Sequence, residues 1–189
     1  KALEFIDASA WKMDRLISGL LKLSRLGRGN LQVGPVNVGS IVDSARATVA
    51  FQIQSQNAIV NVQDLPPCQA DAERLSQVFA SLLDNALKYR HPERPLQITI
   101  WGKIDSDGAL YCVQDNGRGI HPDHQSKVWD LFHRLDPVND PVGEGLGLTL
   151  VRRIVERHNG KAWVESDGKN GSKFFVLLPL KDKNLEHSS

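Results

Sequence analysis

The sequence predicts an α+β fold, a two-layer sandwich of a mixed sheet with helices on one face, preceded by a long N-terminal amphipathic helix. Strand-like runs come in pairs joined by Asp, Gly and Asn turns, and apolar stripes of helical period lie between those pairs. With 41% of its 189 residues hydrophobic, the chain has enough apolar side chains to bury a sizeable core.

Leu3, Ile6, Ala10, Met13, Ile17, Leu20 and Ser24 are spaced alternately three and four apart, a heptad seam that Leu16, Leu21 and Leu23 widen. Such a helix is expected to seek a partner helix. Gly27 and Gly29 stop it and Pro35 marks an extended connector, so residues 1–30 read as one unit and 31–182 as the next. From Val38 onward the pattern predicts a helix over 39–56 and a short strand over 58–63. Asp71 is an N-cap candidate for a helix whose stripe runs Leu75, Val78, Phe79, Leu82, Ala86 and which closes before His91-Pro92. Strands near 96–104 and 109–115 flank the hairpin turn Asp105-Ser106-Asp107-Gly108. Short helical pieces around 122–132, a Pro/Gly/Asp-rich stretch from Asp136 to Gly145 and a helix to His158 follow. A closing hairpin of strands near 161–166 and 172–178 turns through Asp167-Gly168-Lys169-Asn170-Gly171. Residues 183–189 read as an appended tail outside the fold.

A net charge of +1 gives no field strong enough to draw nucleic acid or an anionic membrane, so neither is an expected partner. The longest apolar run, Phe174 to Leu178, is far below the roughly 18 residues of a membrane span, and the N-terminus lacks a signal-peptide layout. A cytoplasmic, reducing location is therefore expected, with no membrane contact by this segment. Cys68 and Cys112 form no C-x-x-C pair, which leaves no basis for a disulfide framework or a cysteine zinc site. Asn170-Gly171-Ser172 matches the glycosylation triplet, which matters only in a secreted protein.

The familiar nucleotide motifs fail. The Gly-Lys pairs at 102, 160 and 168 have Gln97, Val155 and Trp163 where a P-loop needs its first glycine. Gly117-Arg118-Gly119 is followed by Pro122, and Gly143-Glu144-Gly145 by Leu148, where the dinucleotide fingerprint needs a third glycine. His133-Arg134-Leu135-Asp136 has no following Asp-Phe-Gly, and His-Glu-x-x-His is absent.

Four ordered segments remain. In Ser81–Tyr89, at about 100° per residue, Asn85 falls about 60° from Leu82 and shares its flank with Ser81 and Lys88. An amide oxygen there can bind Mg²⁺ and the lysine can meet phosphate, although such residues alone are more often simply solvated. Val113-Gln114-Asp115-Asn116-Gly117-Arg118-Gly119-Ile120 follows a strand. Its aspartate can accept from an adenine amine and its glycines permit close backbone approach, or the segment is an ordinary turn. In Val128-Trp129-Asp130-Leu131-Phe132-His133-Arg134, two aromatics three apart could clamp a flap and Arg134 reach a terminal phosphate, or the aromatics are core. Gly143-Glu144-Gly145-Leu146-Gly147-Leu148-Thr149 runs into a helix, whose free N–H groups make an anion seat.

In this order the segments resemble the N, G1, F and G2 boxes of the catalytic ATP-binding domain of two-component sensor histidine kinases, members of the GHKL ATPase group. The likeness covers roughly residues 36–180. Residues 2–27 resemble the second helix of that family's dimerisation and phosphotransfer bundle. Glu165-Ser166 with Gly171-Ser172-Lys173-Phe174 resembles its closing hairpin, and Lys88-Tyr89-Arg90 with the Arg134–Gly143 flap length resembles phytochrome-type kinases. The resemblance implies a Bergerat-type sandwich holding ATP with Mg²⁺ on Asn85, phosphate on Lys88 and adenine beside Tyr89. Asp115 would accept the adenine amine, Gly117, Gly119 and Ile120 form the close turn, and Ser172 assist Asp115 through water. Arg134 would stabilise γ-phosphoryl charge, and Gly143, Gly145, Leu146 and Gly147 would cradle phosphates and hinge the lid. Implied partners are the phosphoacceptor histidine helix of the same kinase, a response regulator receiver domain, and a second copy joined through the N-terminal helix.

Ser81 stands where these kinases carry Asn, Trp129 replaces Phe, and Glu144 with Asp136 and Asp140 makes the lid acidic. None of the six histidines is followed by Glu or Asp, so the resemblance implies an acceptor histidine outside this sequence. A GHKL-type ATPase or a non-catalytic nucleotide-binding module are the alternatives. The apolar seam predicts self-association: light scattering should show dimers that Ile6→Glu with Leu20→Glu converts to monomers without loss of ATP binding.

Overall fold

A computed structural model describes residues 19, 21, 30–131 and 145–180. The chain enters through β1 (Gly34–Val36), α1 (Val38–Thr48), α2 (Ala50–Ser55), β2 (Ile59–Val62) and β3 (Cys68–Ala70). Next come α3 (Ala72–Lys88), the hairpin β4 (Gln97–Ile104) and β5 (Ala109–Asp115), α4 (Pro122–Gln125) and a 3₁₀ turn (Lys127–Trp129). It ends with α5 (Gly147–Arg157), β6 (Lys161–Glu165) and β7 (Ser172–Leu178).

The five-stranded sheet has the order β2-β4-β5-β7-β6, with β2 parallel to β4 and the other pairs antiparallel. Alternation divides its faces. Ile98, Ile100, Tyr111, Val113, Phe174, Val176 and Leu178 join the core with the helices. Leu110, Cys112 and Phe175, with Trp101, Trp163 and Leu177 around them, form a second cluster. There Trp163 stacks on Phe175 at 4.9 Å and Trp101 meets it edge-on at 6.1 Å.

Two features depart from the sequence reading. Pro35 is not in a mere connector: β1 pairs antiparallel with β3, Gly34 opposite Ala70 and Val36 opposite Cys68, in a separate two-stranded sheet. Three-residue strands are too short to show a period, and a proline is tolerated in such a ribbon. The helix expected over 39–56 breaks at Val49 into α1 and α2. Ser44 and Thr48 donate their hydroxyls to the Ser40 and Ser44 carbonyls, back-bonding that bends helices, and Val49 N–H turns to Arg46 O.

The cap expected at Asp71 is present, and Asn37, which the sequence reading did not single out, caps α1. Asn37 accepts from Ser40 N–H at 3.2 Å, and Asp71 accepts from Arg74 N–H at 3.1 Å. Glu73 in the first turn and Lys88 in the last complement the α3 dipole. The buried face of α3 is Leu75, Val78, Phe79, Leu82, Leu83, Ala86 and Leu87, wider than the predicted stripe because it packs on the sheet and on two helices.

One buried joint links α3 to α5. His158, just past α5, accepts from Asp71 N–H at Nε2 (2.9 Å), so its Nδ1 carries the proton and donates to Ile154 O (2.8 Å). Asp71 also accepts from Gln32 N–H at 2.9 Å. His158→Leu keeps the bulk but strands the Asp71 N–H, while the Ile154 carbonyl keeps the main-chain N–H of residue 158 at 3.2 Å. It should lower the urea-derived unfolding free energy by about 1–3 kcal/mol while leaving the helical circular dichroism unchanged.

Candidate functional site

β5 ends on Asp115, opposite Ser172 at the start of β7. The alternation that buries Tyr111 and Val113 also turns Asp115 inward, and it is 9% exposed. Burial pushes its carboxyl up to about 6, against the N–H groups of Gly117 and Ser172 and the Arg94 guanidinium, which all pull it down. The Gly117 N–H donates to Oδ1 at 2.7 Å. Ser172 thus meets Asp115 through its main-chain N–H.

Past Asp115 the chain turns tightly. A Cβ on Gly117 would lie 2.6 Å from Tyr89 O and 2.8 Å from Asp115 Oδ1, so only glycine lets the turn close on the end of α3. Tyr89 O also accepts from Arg118 N–H at 3.0 Å. Gly119 has φ 77°, and a Cβ there would lie 2.6 Å from Lys169 N on the β6–β7 loop. Ile120, 6% exposed, sends its N–H to Ser166 Oγ at 2.9 Å, and that hydroxyl donates to Gly171 O at 2.6 Å. Asp167 braces the same loop, its carboxyl lowered to about 2 by the N–H groups of Asn170 and Lys169. Asn116 accepts from Gln97 N–H and donates to Pro95 O, tying the turn to the head of β4.

Asn85 and Lys88 lie half-buried on α3, with Lys88 Nζ paired to Asp84 one turn back. α5 meets this flank, since a Cβ on Gly147 would lie 3.9 Å from Ser81 Cβ. Gly145, at φ 66°, precedes Leu146, which occupies the N-cap without a side-chain hydrogen bond to the helix. That uncapped end is suited to an anion. Trp129 is core: it packs edge-on to Phe174 at 6.1 Å, and its carbonyl accepts from Thr149 of α5 at 3.1 Å. Gly19, buried, lies against Leu146 so closely that a Cβ would come 2.4 Å from Leu146 Cδ1. Arg134, Gly143, Phe132, Asp136, Asp140 and Glu144 lie outside the described residues, as does the N-terminal seam apart from Leu21.

Among the described residues no group of three or more His, Cys, Asp or Glu is placed to hold a metal. An amide such as Asn85 together with phosphate oxygens suits Mg²⁺, which binds through few protein donors and keeps its waters. Both cysteines are buried and free, their thiols raised by burial, Cys112 to about 12, so neither is a nucleophile. No helix among the described residues is long and apolar enough to cross a membrane.

Residues 70–182 match the family described as histidine kinase-, DNA gyrase B- and HSP90-like ATPase. The chain belongs to this ATPase family. It is 32% identical over 182 residues to the phytochrome-like protein Cph1 of Synechocystis sp., covering 95% of this chain and 24% of that protein. It therefore spans about a quarter of that relative's length. The mycobacterial sensor histidine kinase MprB superposes with a TM-score of 0.65 at 26% identity, over 78% of this chain and 97% of that one. Full-length ShkA, solved with AMPPNP, shares the fold at TM-score 0.72 and 24% identity, over 87% of this chain and 35% of that one. Fold and relatives alike are those of histidine kinase catalytic domains.

Sequence reasoning missed Arg94 and the Asp71–His158 joint, and it named Ser166 only as part of the closing hairpin. The one available signal was His158 beside a helix end, because polar residues met only across the fold leave no local pattern. Asp115 also predicts a pH effect on the nucleotide-free chain. Its folded value near 6 lies above the ordinary 3.8, so the fold holds this proton more tightly than the unfolded chain does. Its stabilising contribution is present below about 4 and lost as pH rises through about 6. Asp115→Asn should remove that decline from the urea stability profile, and a profile that keeps it would contradict the assigned burial.

Proposed function

We propose that this chain is the ATP-binding kinase module of a sensor histidine kinase, passing the γ-phosphoryl group to a histidine that it does not itself carry. Residues 31–182 form the module and residues 1–30 part of the helical bundle that presents the acceptor and pairs two copies. The reading rests chiefly on one arrangement along α3: the Asp115 turn closes on Tyr89 at its end and the uncapped start of α5 lies against Ser81 two turns earlier, with Asn85 between them in sequence.

The adenine amine donates to Asp115, whose other contacts are already donors, so the carboxylate has capacity left for the base. Gly117 and Gly119 keep side chains out of the base's way, and Tyr89 lines it. The phosphates run toward α5, where Gly143, Gly145, Leu146 and Gly147 offer main-chain N–H groups. Lys88, on exchanging Asp84 for the ligand, and Arg134 counter the phosphate charge. Asn85 would hold Mg²⁺, which when bound neutralises phosphate charge as it shifts toward the leaving oxygen. An imidazole nitrogen forms the P–N bond in line as the bond to the ADP oxygen breaks, so positioning and electrostatics carry the rate. Ser81 offers no carboxylate to activate water, which favours transfer over hydrolysis. The phosphoryl group would then pass to a response regulator receiver domain.

In calorimetry with Mg-ADP, Asp115→Asn and Asn85→Ala should each weaken binding severely, and only the second should lose the benefit of Mg²⁺. Affinity of the unsubstituted chain should rise as pH rises through about 6, as Asp115 ionises. Given γ-labelled ATP, the chain should label a supplied histidine-bearing helical bundle but acquire no acid-labile phosphate itself. Unchanged affinity in Asp115→Asn would sink the assigned pocket.

A further inference from the structure

Arg94 lies in the loop between α3 and β4, outside every segment that the sequence singles out. One guanidinium nitrogen, Nη2, donates to two main-chain carbonyls, Gly117 O at 2.6 Å and Lys169 O at 2.7 Å. Those carbonyls belong to the two loops that meet backbone to backbone at Gly119. Ser166 fastens that contact at Ile120 and Gly171, and Arg94 fastens it again beside the Asp115 turn. Its Nε is buried without a hydrogen-bond partner among the described residues, a cost to the fold that its placement must offset.

We propose that Arg94 is a positioning residue for nucleotide recognition, clamping the Asp115–Gly119 turn to the β6–β7 loop in the one arrangement that leaves Asp115 available to an adenine amine. The proposal rests on the reading of Asp115 as the base acceptor. The guanidinium is the cation that acts on Asp115 and favours its charged form. Lys173 on β7 and Glu165 on β6 act instead on Cys112, which itself neighbours Asp115 on β5, and Lys88 on α3 is held by Asp84. A lysine at 94 would restore the charge. It would have to hold both carbonyls with one ammonium on a flexible stem, without the rigid guanidinium plane that fixes Nη2 between the two loops.

The test is Mg-ADP calorimetry from pH 5 to 8 on the full chain and on Arg94→Ala, Arg94→Lys, Asp115→Asn and, as a remote cation, Lys103→Ala. Arg94→Ala should bind about tenfold weaker at neutral pH, and its affinity should fall away at a higher pH than in the unsubstituted chain. The ligand's own titration is common to all variants and cancels. Arg94→Lys should return that midpoint most of the way yet remain several-fold weaker, and Lys103→Ala should change neither. A merely structural role would lower affinity equally at every pH. That result, or unchanged affinity in Arg94→Ala, overturns the proposal while a weakened Asp115→Asn keeps the base reading. Unchanged affinity in Asp115→Asn overturns both. If Arg94→Ala does not fold, Arg94→Lys decides alone, and full affinity in it overturns the clamp.

Discussion

A carboxylate that is 9% exposed has been taken out of water at considerable cost, and the chain must answer it with donors fixed in advance. At Asp115 the donors are main-chain N–H groups from Gly117 and Ser172, so their supply depends on backbone path and not on any side chain. That path requires the β5–β7 register to end where it does and the Gly117 turn to close against Tyr89 O. It also requires the β6–β7 loop to lie against Gly119. The glycines, Asn116, Ser166 and Asp167 are consequences of holding one acid in one place.

The helical layer answers a second constraint. α3 starts and α5 ends at the same buried joint, where Asp71 and His158 share a hydrogen bond. At the other end the start of α5 comes against Ser81 on α3. The two helices that bring Asn85 and the uncapped helix start together are thus tied at one end and in contact at the other. Gln32, on the segment leading in from the N-terminal region, bonds to that same aspartate, so the connector reports to the head of α3.

Much of this was legible in the sequence, and what was not has a physical reason. The stripe Leu75, Val78, Phe79, Leu82, Ala86 and the cap at Asp71 announced α3, because helical period and capping are local chemistry. Both hairpins were legible from their Asp-Gly turns. Asp115 was legible as an end-of-strand acid, but not its burial, which needs Ser172 to arrive from 57 positions away on another strand. Trp129 read either as a flap clamp or as core, and contact with Phe174 makes it core. Cys68–Ala70 was missed because three residues carry no period. Arg94 was missed because an arginine between His91-Pro92 and Pro95 looks like any loop charge until both its carbonyl partners are seen.

Three of the four tryptophans lie among the described residues, and the sheet divides them in a useful way. Trp129 is 7% exposed inside the main core, with its carbonyl bonded to Thr149 in the first turns of α5. Trp101 and Trp163 sit on the opposite face around Phe175, half-exposed and away from that helix. Among these three the chain carries an intrinsic optical reporter: blue-shifted emission belongs to Trp129 and follows the start of α5. Emission from the other face supplies an internal reference against which any rearrangement at that helix end can be read without a label.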